Sequence, residues 1–267
     1  MTKSPIKNPL NATEFAKLAA AKCAVDFVQD GMRLGLGTGS TAAWMVRALA
    51  DRIAKEGLKV QGVPTSSRTA ALAHALNVPI VTLDQAKWLD LTIDGADEFD
   101  PQFQLIKGGG AALLQEKIVA QASDQMIVIT DPAKDVARLG AFALPVEVIP
   151  FGSTTTQRQI EALLADLGLS GRTVTLRQCQ GAPLMTDENN FILDLHLQSI
   201  PDALALAQGL NAIAGVVENG LFIGLCDRVI IGHPDGRAET RGHEGSLFST
   251  LDPQECGDIF AMAEQGK

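Results

Sequence analysis

The sequence predicts an α/β fold, a doubly wound and mostly parallel sheet accompanied by a second, smaller α+β domain. Three observations predict it. Short apolar runs alternate with stretches of helical period through the first half of the chain, and parallel neighbours require such crossovers. A glycine-rich turn, Gly35-Leu36-Gly37-Thr38-Gly39-Ser40-Thr41, follows the first of these runs and opens a helical pattern. After Leu139-Gly140 the texture changes, and two helical stretches fall among three or four strand-like ones, the signature of a split βαβ unit. The expected division is residues 1–140 with about 225–267 in the large domain, and about 141–224 in the small one.

Taken in order, residues 1 to 13 are polar with two prolines and are expected to form a loose arm. Phe15, Leu18, Ala19, Cys23, Val25 and Val28 recur at roughly helical spacing, which predicts a helix over 14–28 carrying Lys17 and Lys22, stopped by Asp30-Gly31. A strand over 32–36 leads into the glycine turn, and Ala42, Met45, Val46, Leu49 and Ile53 mark the amphipathic helix after it. That turn has Ser40 where the dinucleotide fingerprint has its third glycine, and it lacks the lysine of a P-loop. What remains is either a phosphate cradle of N–H groups and the hydroxyls of Thr38, Ser40 and Thr41, or a tight turn with a hydroxyl cap.

Strands are expected over 59–63, 79–83, 88–93 and 125–130, with helices to about Leu76 and over 111–122. Ser66, Ser67 and Arg68 follow a strand end, where they either line a cleft or cap a helix. In the second half, extended segments are expected over 145–150, 173–178, 190–197 and 215–224, and helices over 154–167 and 201–213. A strand over 228–232 is expected to return to the large sheet; the tail from His233 has weak periodicity and receives no assignment.

The length, 267 residues, is enough for a sizeable core, and 46% hydrophobic with 20% charged residues is ordinary for a soluble enzyme. A formal charge of −9 argues against nucleic acid or an anionic membrane as the main partner, so an anionic substrate would need its own local cations and N–H donors. No apolar run approaches the roughly 18 residues of a membrane span, and the first residues lack the apolar core of a signal peptide, so a cytoplasmic protein is expected. Cys23, Cys179, Cys226 and Cys256 show no CxxC pairing, so neither a disulfide framework nor a zinc site is expected.

The densest chemistry lies between Asp94 and Glu116. Asp94-Gly95-Ala96-Asp97-Glu98 follows an apolar run at what should be the carboxyl end of a parallel strand, where α/β folds place ligands. Lys107-Gly108-Gly109-Gly110-Ala111-Ala112 then precedes a helix. Three glycines in a row pack nothing and raise the entropy cost of folding, so the gain must come from a backbone brought close to something; at a helix start an anion suits.

These motifs, in this order, closely resemble the type A ribose-5-phosphate isomerase family. The matching segments are Gly37-Thr38-Gly39-Ser40-Thr41-Ala42, Asp94 to Glu98, Lys107 to Ala112 with Glu116-Lys117-Ile118, Leu144-Pro145-Val146-Glu147-Val148, Thr186-Asp187 with Asp194, and Gly215-Val216-Val217 with Gly220-Leu221-Phe222. They cover about Glu14 to Gly236; the arm before and the tail after exceed the usual family length. The resemblance implies a Rossmann-like domain carrying a smaller ferredoxin-like one. It also implies interconversion of ribose 5-phosphate and ribulose 5-phosphate without a metal or organic cofactor, a sugar phosphate as the small-molecule partner, and a homodimer or homotetramer.

An aldose–ketose isomerisation needs a carbon base, a group that handles hydroxyl protons, and stabilisation of a negative oxygen. Glu116, sharing a helix stripe with Ala112 and Val119, is the candidate base, and partial burial would raise its pKa toward the working pH. Asp94 and Asp97 are the candidates for moving hydroxyl protons, with a turn-stabilising role and a metal-binding DxxDE reading as competitors. Lys107 would serve either the enediolate or the phosphate, assisted by the N–H groups of Gly108, Gly109 and Gly110, with Gly95 and Ala96 lining the substrate. Thr38, Gly39, Ser40 and Thr41, helped by Lys134 and Lys17 at positions that match family lysines, are the expected phosphate site. Two other function classes compete. A sugar-phosphate sensor would be expected to carry a DNA-binding region, and no basic recognition helix is evident; a nicotinamide-dependent oxidoreductase would need the complete glycine fingerprint.

Overall fold

The computed structural model describes residues 10–251 together with Cys256, Ile259, Met262 and Ala263. Most of the expected arm and the end of the tail lie outside these residues. The chain begins with α1 (Ala12–Val25), β1 (Arg33–Leu36), α2 (Ser40–Glu56), β2 (Gln61–Pro64), α3 (Ser67–Ala75), α4 (Leu83–Ala86) and β3 (Leu91–Gly95). There follow β4 (Glu98–Phe99), β5 (Leu105–Ile106), α5 (Leu113–Gln121), β6 (Met126–Thr130), a 3-10 turn at Pro132–Lys134, and β7 (Leu144–Val148). Next come α6 (Ser153–Asp166), β8 (Thr173–Leu176), β9 (Gln178–Cys179), β10 (Ala182–Pro183), β11 (Phe191–His196) and α7 (Ala203–Asn211). The last described elements are β12 (Val216–Asn219), β13 (Leu221–Phe222), β14 (Arg228–Gly232), β15 (Arg237–Gly242) and β16 (Gly245–Thr250). No helix among the described residues is long and apolar enough to cross a membrane.

The chain packs as two units. The first takes the described residues up to Gly95, Ala122–Pro132 and the described residues from Asp227 onward. Its seven described strands run in the order β16-β15-β14-β6-β3-β1-β2. From β2 to β14 the neighbours are parallel, and β15 and β16 add an antiparallel hairpin at one edge. The central strands are buried along nearly their whole length, as parallel strands covered on both faces must be, which is why Met126-Ile-Val-Ile-Thr reads as an unbroken apolar run. The strand order reverses at β1, whose neighbours are β2 and β3, so the carboxyl ends of β1 and β3 form the switch point at which open α/β sheets bind ligands. Alanines at 16, 19, 20, 21 and 24 of α1 are all buried. They let that helix lie so close to the sheet that a Cβ on Gly232 of β14 would fall 1.9 Å from the Ala16 carbonyl oxygen.

The expected strand over 79–83 is reduced to a single bridge, Gly62 to Ile80. Thr82 and Gln85 form a reciprocal capping box that starts α4, so a helix-start signal overrides the short apolar run. The unassigned part of the tail supplies β15 and β16.

The second unit takes Ala96–Gln121 and Ala133–Cys226. Its four-stranded sheet has the order β12-β7-β11-β8, antiparallel throughout, with α6 and α7 as the crossovers. This is the βαββαβ pattern of ferredoxin-like folds. Leu144, Val146 and Val148 of β7 and Leu193 and Leu195 of β11 point into a core with Ile160, Leu164, Leu206 and Leu210. Each such fully buried aliphatic side chain contributes about 1.5–3 kcal/mol. Ala96–Gln121 belong here and not with the large sheet because β4 and β5 pair with each other and β5 pairs with β13. The expected strand over 215–224 is cut in two at Gly220. Its N–H donates to the Pro145 carbonyl and its own carbonyl accepts from Lys107, so the chain leaves β7 for β5 there.

On the face of β7 opposite the core lies Glu147, fully buried. Its Oε1 accepts from the Thr186 hydroxyl and the Asn190 amide, both at 2.9 Å, and its Oε2 accepts from no described group. Burial pushes this carboxyl above its ordinary value of 4.5; the bonds from Asn190 and Thr186 work against that, and Glu188 and Glu218 add to it.

Two outcomes are expected. Because the folded state keeps the Glu147 proton at pH values where the unfolded chain has lost it, this group's contribution is full below pH 4.5 and falls as pH rises through the higher folded value. Glu147→Gln, an uncharged near-isostere, should therefore gain stability relative to the natural protein as pH rises from about 5 to 8, read by thermal unfolding; a difference that does not change with pH would contradict the assignment. Gly232→Ala should lower the unfolding free energy by about 1–3 kcal/mol, read as a lower urea midpoint at unchanged m, since a helix backbone must move to admit the methyl.

Candidate functional site

In the first unit the candidate residues gather at the switch point. A Cβ on Gly37 would lie 2.1 Å from Asp94 Oδ1 and 2.5 Å from its Cα, so only glycine lets the turn after β1 pass the end of β3. That approach brings the Thr38 N–H to Asp94 Oδ1 at 3.0 Å, and the Gly95 N–H reaches the same oxygen at 2.7 Å. Asp94 is fully buried. Two N–H donors on one oxygen hold its carboxylate in a single orientation.

The Thr38 side chain turns inward, away from the helix start. Its hydroxyl sits in a buried knot with Thr65 Oγ1 at 2.9 Å, Ser66 Oγ at 2.7 Å and Thr69 Oγ1 at 3.1 Å, and Thr69 donates onward to the Gly37 carbonyl. Thr38 therefore fixes the turn with its hydroxyl. Ser66 caps α3 by accepting from the Thr69 N–H, and Arg68 is exposed. Gly39, at φ 116°, is the N-cap of the 17-residue α2 and offers no side-chain cap, so the first N–H groups of α2, with exposed Ser40 and half-buried Thr41, form a donor set suited to an anion. Lys17 instead meets a carboxylate, its ammonium 2.7 Å from Glu14, which also accepts from the Trp44 indole. Burial pushes the Glu14 carboxyl up, and the bonds from Lys17 and Trp44 outweigh it and leave it below its ordinary value.

The chain passes into the second unit between Gly95 and Ala96. Asp97, half-buried, accepts the Gly109 N–H on Oδ2 at 2.7 Å. Lys107 is 2% exposed and Glu116 is 3% exposed, and the ammonium stands 3.4 Å from Glu116 Oε2. Both the Lys107 and Lys117 ammonium groups lie over the Phe222 ring, 5.4 and 4.9 Å from its centroid. Lys117 is held by Glu218 and the Asn219 carbonyl; burial pushes its pKa down and Glu218 opposes that. Gly108 has φ 108° and Ala111 φ 61°, with the Ala111 N–H returning to the Gly108 carbonyl at 3.0 Å. The helix consequently starts at Leu113 and not at the expected Ala111, because a left-handed residue cannot belong to it. Lys134 ends the 3-10 turn with its ammonium 5.9 Å above the Phe142 ring.

Glu98, the third carboxylate of the DxxDE run, is taken up by the backbone, accepting from the N–H groups of Gly140 and Phe142. Among the described residues no group of three or more His, Cys, Asp or Glu side chains is placed to hold a metal ion. Two contributors escaped the sequence reading: Phe222, quoted only as part of a motif, and Arg177, whose guanidinium reaches the glycine loop and which no local pattern marks.

Chemically, the second unit offers a carboxylate beside an ammonium, both excluded from water, next to a loop rich in backbone donors. That combination can move a proton at carbon and stabilise the oxyanion that forms. The first unit offers a second oriented carboxylate and a helix N-terminus.

The model of the family described as ribose 5-phosphate isomerase A (phosphoriboisomerase A) matches residues 61–236. Among curated relatives, a ribose-5-phosphate isomerase A of Cereibacter sphaeroides is 68% identical over 238 residues, 88% of this chain and 95% of that protein. One of Ruegeria pomeroyi is 63% identical over 94% of this chain and 97% of its own length. Among solved structures, ribose 5-phosphate isomerase A from Methanocaldococcus jannaschii superposes with a TM-score of 0.75 at 39% identity, covering 89% of this chain and 99% of that one. The enzyme from Plasmodium falciparum gives 0.78 at 34% over 90% and 99%, and a D-ribose-5-phosphate isomerase solved in complex with phospho-erythronic acid gives 0.77 at 37% over the same shares. With a family model matched over about two thirds of its length and relatives this similar across nearly all of it, the chain belongs to the ribose 5-phosphate isomerase A family.

Proposed function

We propose that this chain interconverts D-ribose 5-phosphate and D-ribulose 5-phosphate through a cis-enediol(ate), with Glu116 as the carbon base. The observation that carries the reading is the buried Glu116–Lys107 pair at 3.4 Å, since a carboxylate kept from water next to a fixed cation is what proton abstraction beside a carbonyl requires. From the open-chain aldose, Glu116 takes the proton on C2; the C–H electrons form the C1–C2 double bond and the carbonyl electrons move onto O1. Lys107 and the N–H groups of the glycine loop, Gly108 to Gly110, stabilise that oxygen. The proton returns to C1 while the O2 hydroxyl proton passes to O1, leaving the ketose. Asp94 and Asp97 serve ring opening and the oxygen-to-oxygen proton transfer, with Gly95 and Ala96 supplying backbone contacts. The N-terminus of α2, with Gly39, Ser40 and Thr41, and Lys134 serve the phosphate.

Membership of the family supports the reaction, and the ligand of one solved relative supports the mechanism. Phospho-erythronic acid joins a carboxylate to a phosphate ester, so its two carboxylate oxygens imitate the paired oxygens of an enediolate.

Glu116→Gln should fold normally by circular dichroism and lose about two to four orders of magnitude in turnover of ribose 5-phosphate. Near-normal turnover would remove the base assignment. The natural protein should convert ribose 5-phosphate at a rate that a chelator leaves unchanged; a chelator-sensitive rate restored by a divalent cation would show that the proposed set of groups is incomplete.

A further inference from the structure

Three consecutive glycines have no conformational preference that would hold a catalytic loop in one shape. Some other group has to orient the peptide planes between Lys107 and α5. Arg177, between β8 and β9, is placed to do so. Its Nη1 donates to the Gly108 carbonyl at 2.7 Å, with a longer contact to the Gly109 carbonyl at 3.4 Å. Its Nε and Nη2 donate to the two oxygens of Asp194 at 2.8 and 2.5 Å, a bidentate pair with both side chains largely buried. Asp194 lies on β11, on the sheet face away from the core, so the guanidinium is anchored to the rigid four-stranded sheet.

The peptide between Gly108 and Gly109 is gripped at both ends. Its carbonyl oxygen takes Arg177, and its N–H, which points the opposite way across the same trans plane, takes Asp97 Oδ2 at 2.7 Å. A cation on the carbonyl polarises the amide and strengthens the N–H as a donor to the carboxylate. We infer that Arg177, oriented by Asp194, is a positioning residue that fixes the Gly108–Gly109 peptide plane and through it the carboxylate of Asp97. This rests on the role proposed above for Asp97. Lysine in place of Arg177 would keep the charge but could not bind Asp194 through two parallel donors while reaching the loop with a third.

The test uses the full chain with Arg177→Met, Arg177→Lys and Asp194→Asn, each checked for folding by circular dichroism and thermal unfolding. Arg177→Met should lower kcat about 10- to 100-fold, the usual consequence of misplacing a reacting group by around an ångström, with KM changed less than about threefold. Arg177→Lys should recover only part of the loss. A second readout follows the Gly109 amide by NMR in glycine-labelled protein. Its resonance should move upfield in Arg177→Met and in Asp97→Asn alike, because both variants weaken the same hydrogen bond. Wild-type kcat in a folded Arg177→Met, or a Gly109 amide that does not move, would overturn the inference. If Arg177→Met does not fold, Arg177→Lys and Asp194→Asn carry the same two measurements. Absence of ribose 5-phosphate turnover in the natural protein would instead overturn the proposed function, while the amide measurement would still decide whether Arg177 orients the loop.

Discussion

A carboxylate and an ammonium buried side by side is an expensive arrangement, and the second unit is organised around sustaining one. Taking both Lys107 and Glu116 out of water costs several kcal/mol per ion, which their attraction offsets only when the geometry is held; removing one partner of such a pair typically costs about 3–5 kcal/mol. The geometry is held from several directions. The Lys107 N–H bonds to the Gly220 carbonyl, the Phe222 ring lies under its ammonium, and Glu116 is fixed in the first turn of α5. Lys117, one residue on from Glu116, pairs with the partly buried Glu218 and shares the Phe222 ring with Lys107, so two adjacent side chains of α5 are each committed to an ion pair.

Glycine carries much of the load in both units, for a different reason at each place. At Gly37 the need is proximity, because any side chain would occupy the space of Asp94, and the N–H groups that orient Asp94 could not reach it. At Gly220 it is again proximity, to the Lys107 carbonyl 2.3 Å from where a Cβ would stand. At Gly108 it is conformation, a φ of 108° that L side chains rarely adopt. The left-handed Ala111 that follows extends the same loop by forcing α5 to start two residues late, and a non-glycine residue in that region is sustained only by its surroundings.

Local patterns exposed most of this arrangement. The DGADE and KGGGA blocks single out Asp94, Asp97, Lys107 and Glu116, and alternation of strands with helices exposes the parallel sheet. The patterns do not show which partner a side chain takes. Lys17 pairs with Glu14, three residues before it, and the Thr38 hydroxyl closes a knot with Thr65, Ser66 and Thr69, 27 to 31 residues on. Glu98 stands in the most informative motif of the chain, yet its carboxylate serves the backbone of Gly140 and Phe142, more than forty residues on. The expected strand over 79–83 gives way to a signal that is itself local, the Thr82–Gln85 capping box that starts α4.

By itself the sequence determined most of the longer helices and central strands and which residues carry charge at their ends, because hydrophobic period and glycine spacing are written in neighbours along the chain. It determined the family as well, since motifs of that length and order survive as strings. Only the tertiary structure decided what each polar group faces. Arg177 reaches the glycine loop sixty-nine residues before it, and Glu147 meets Thr186 and Asn190 across the sheet. Hydrogen bonds and ion pairs act over about 3 Å of space whatever the separation in sequence, so no local pattern encodes them.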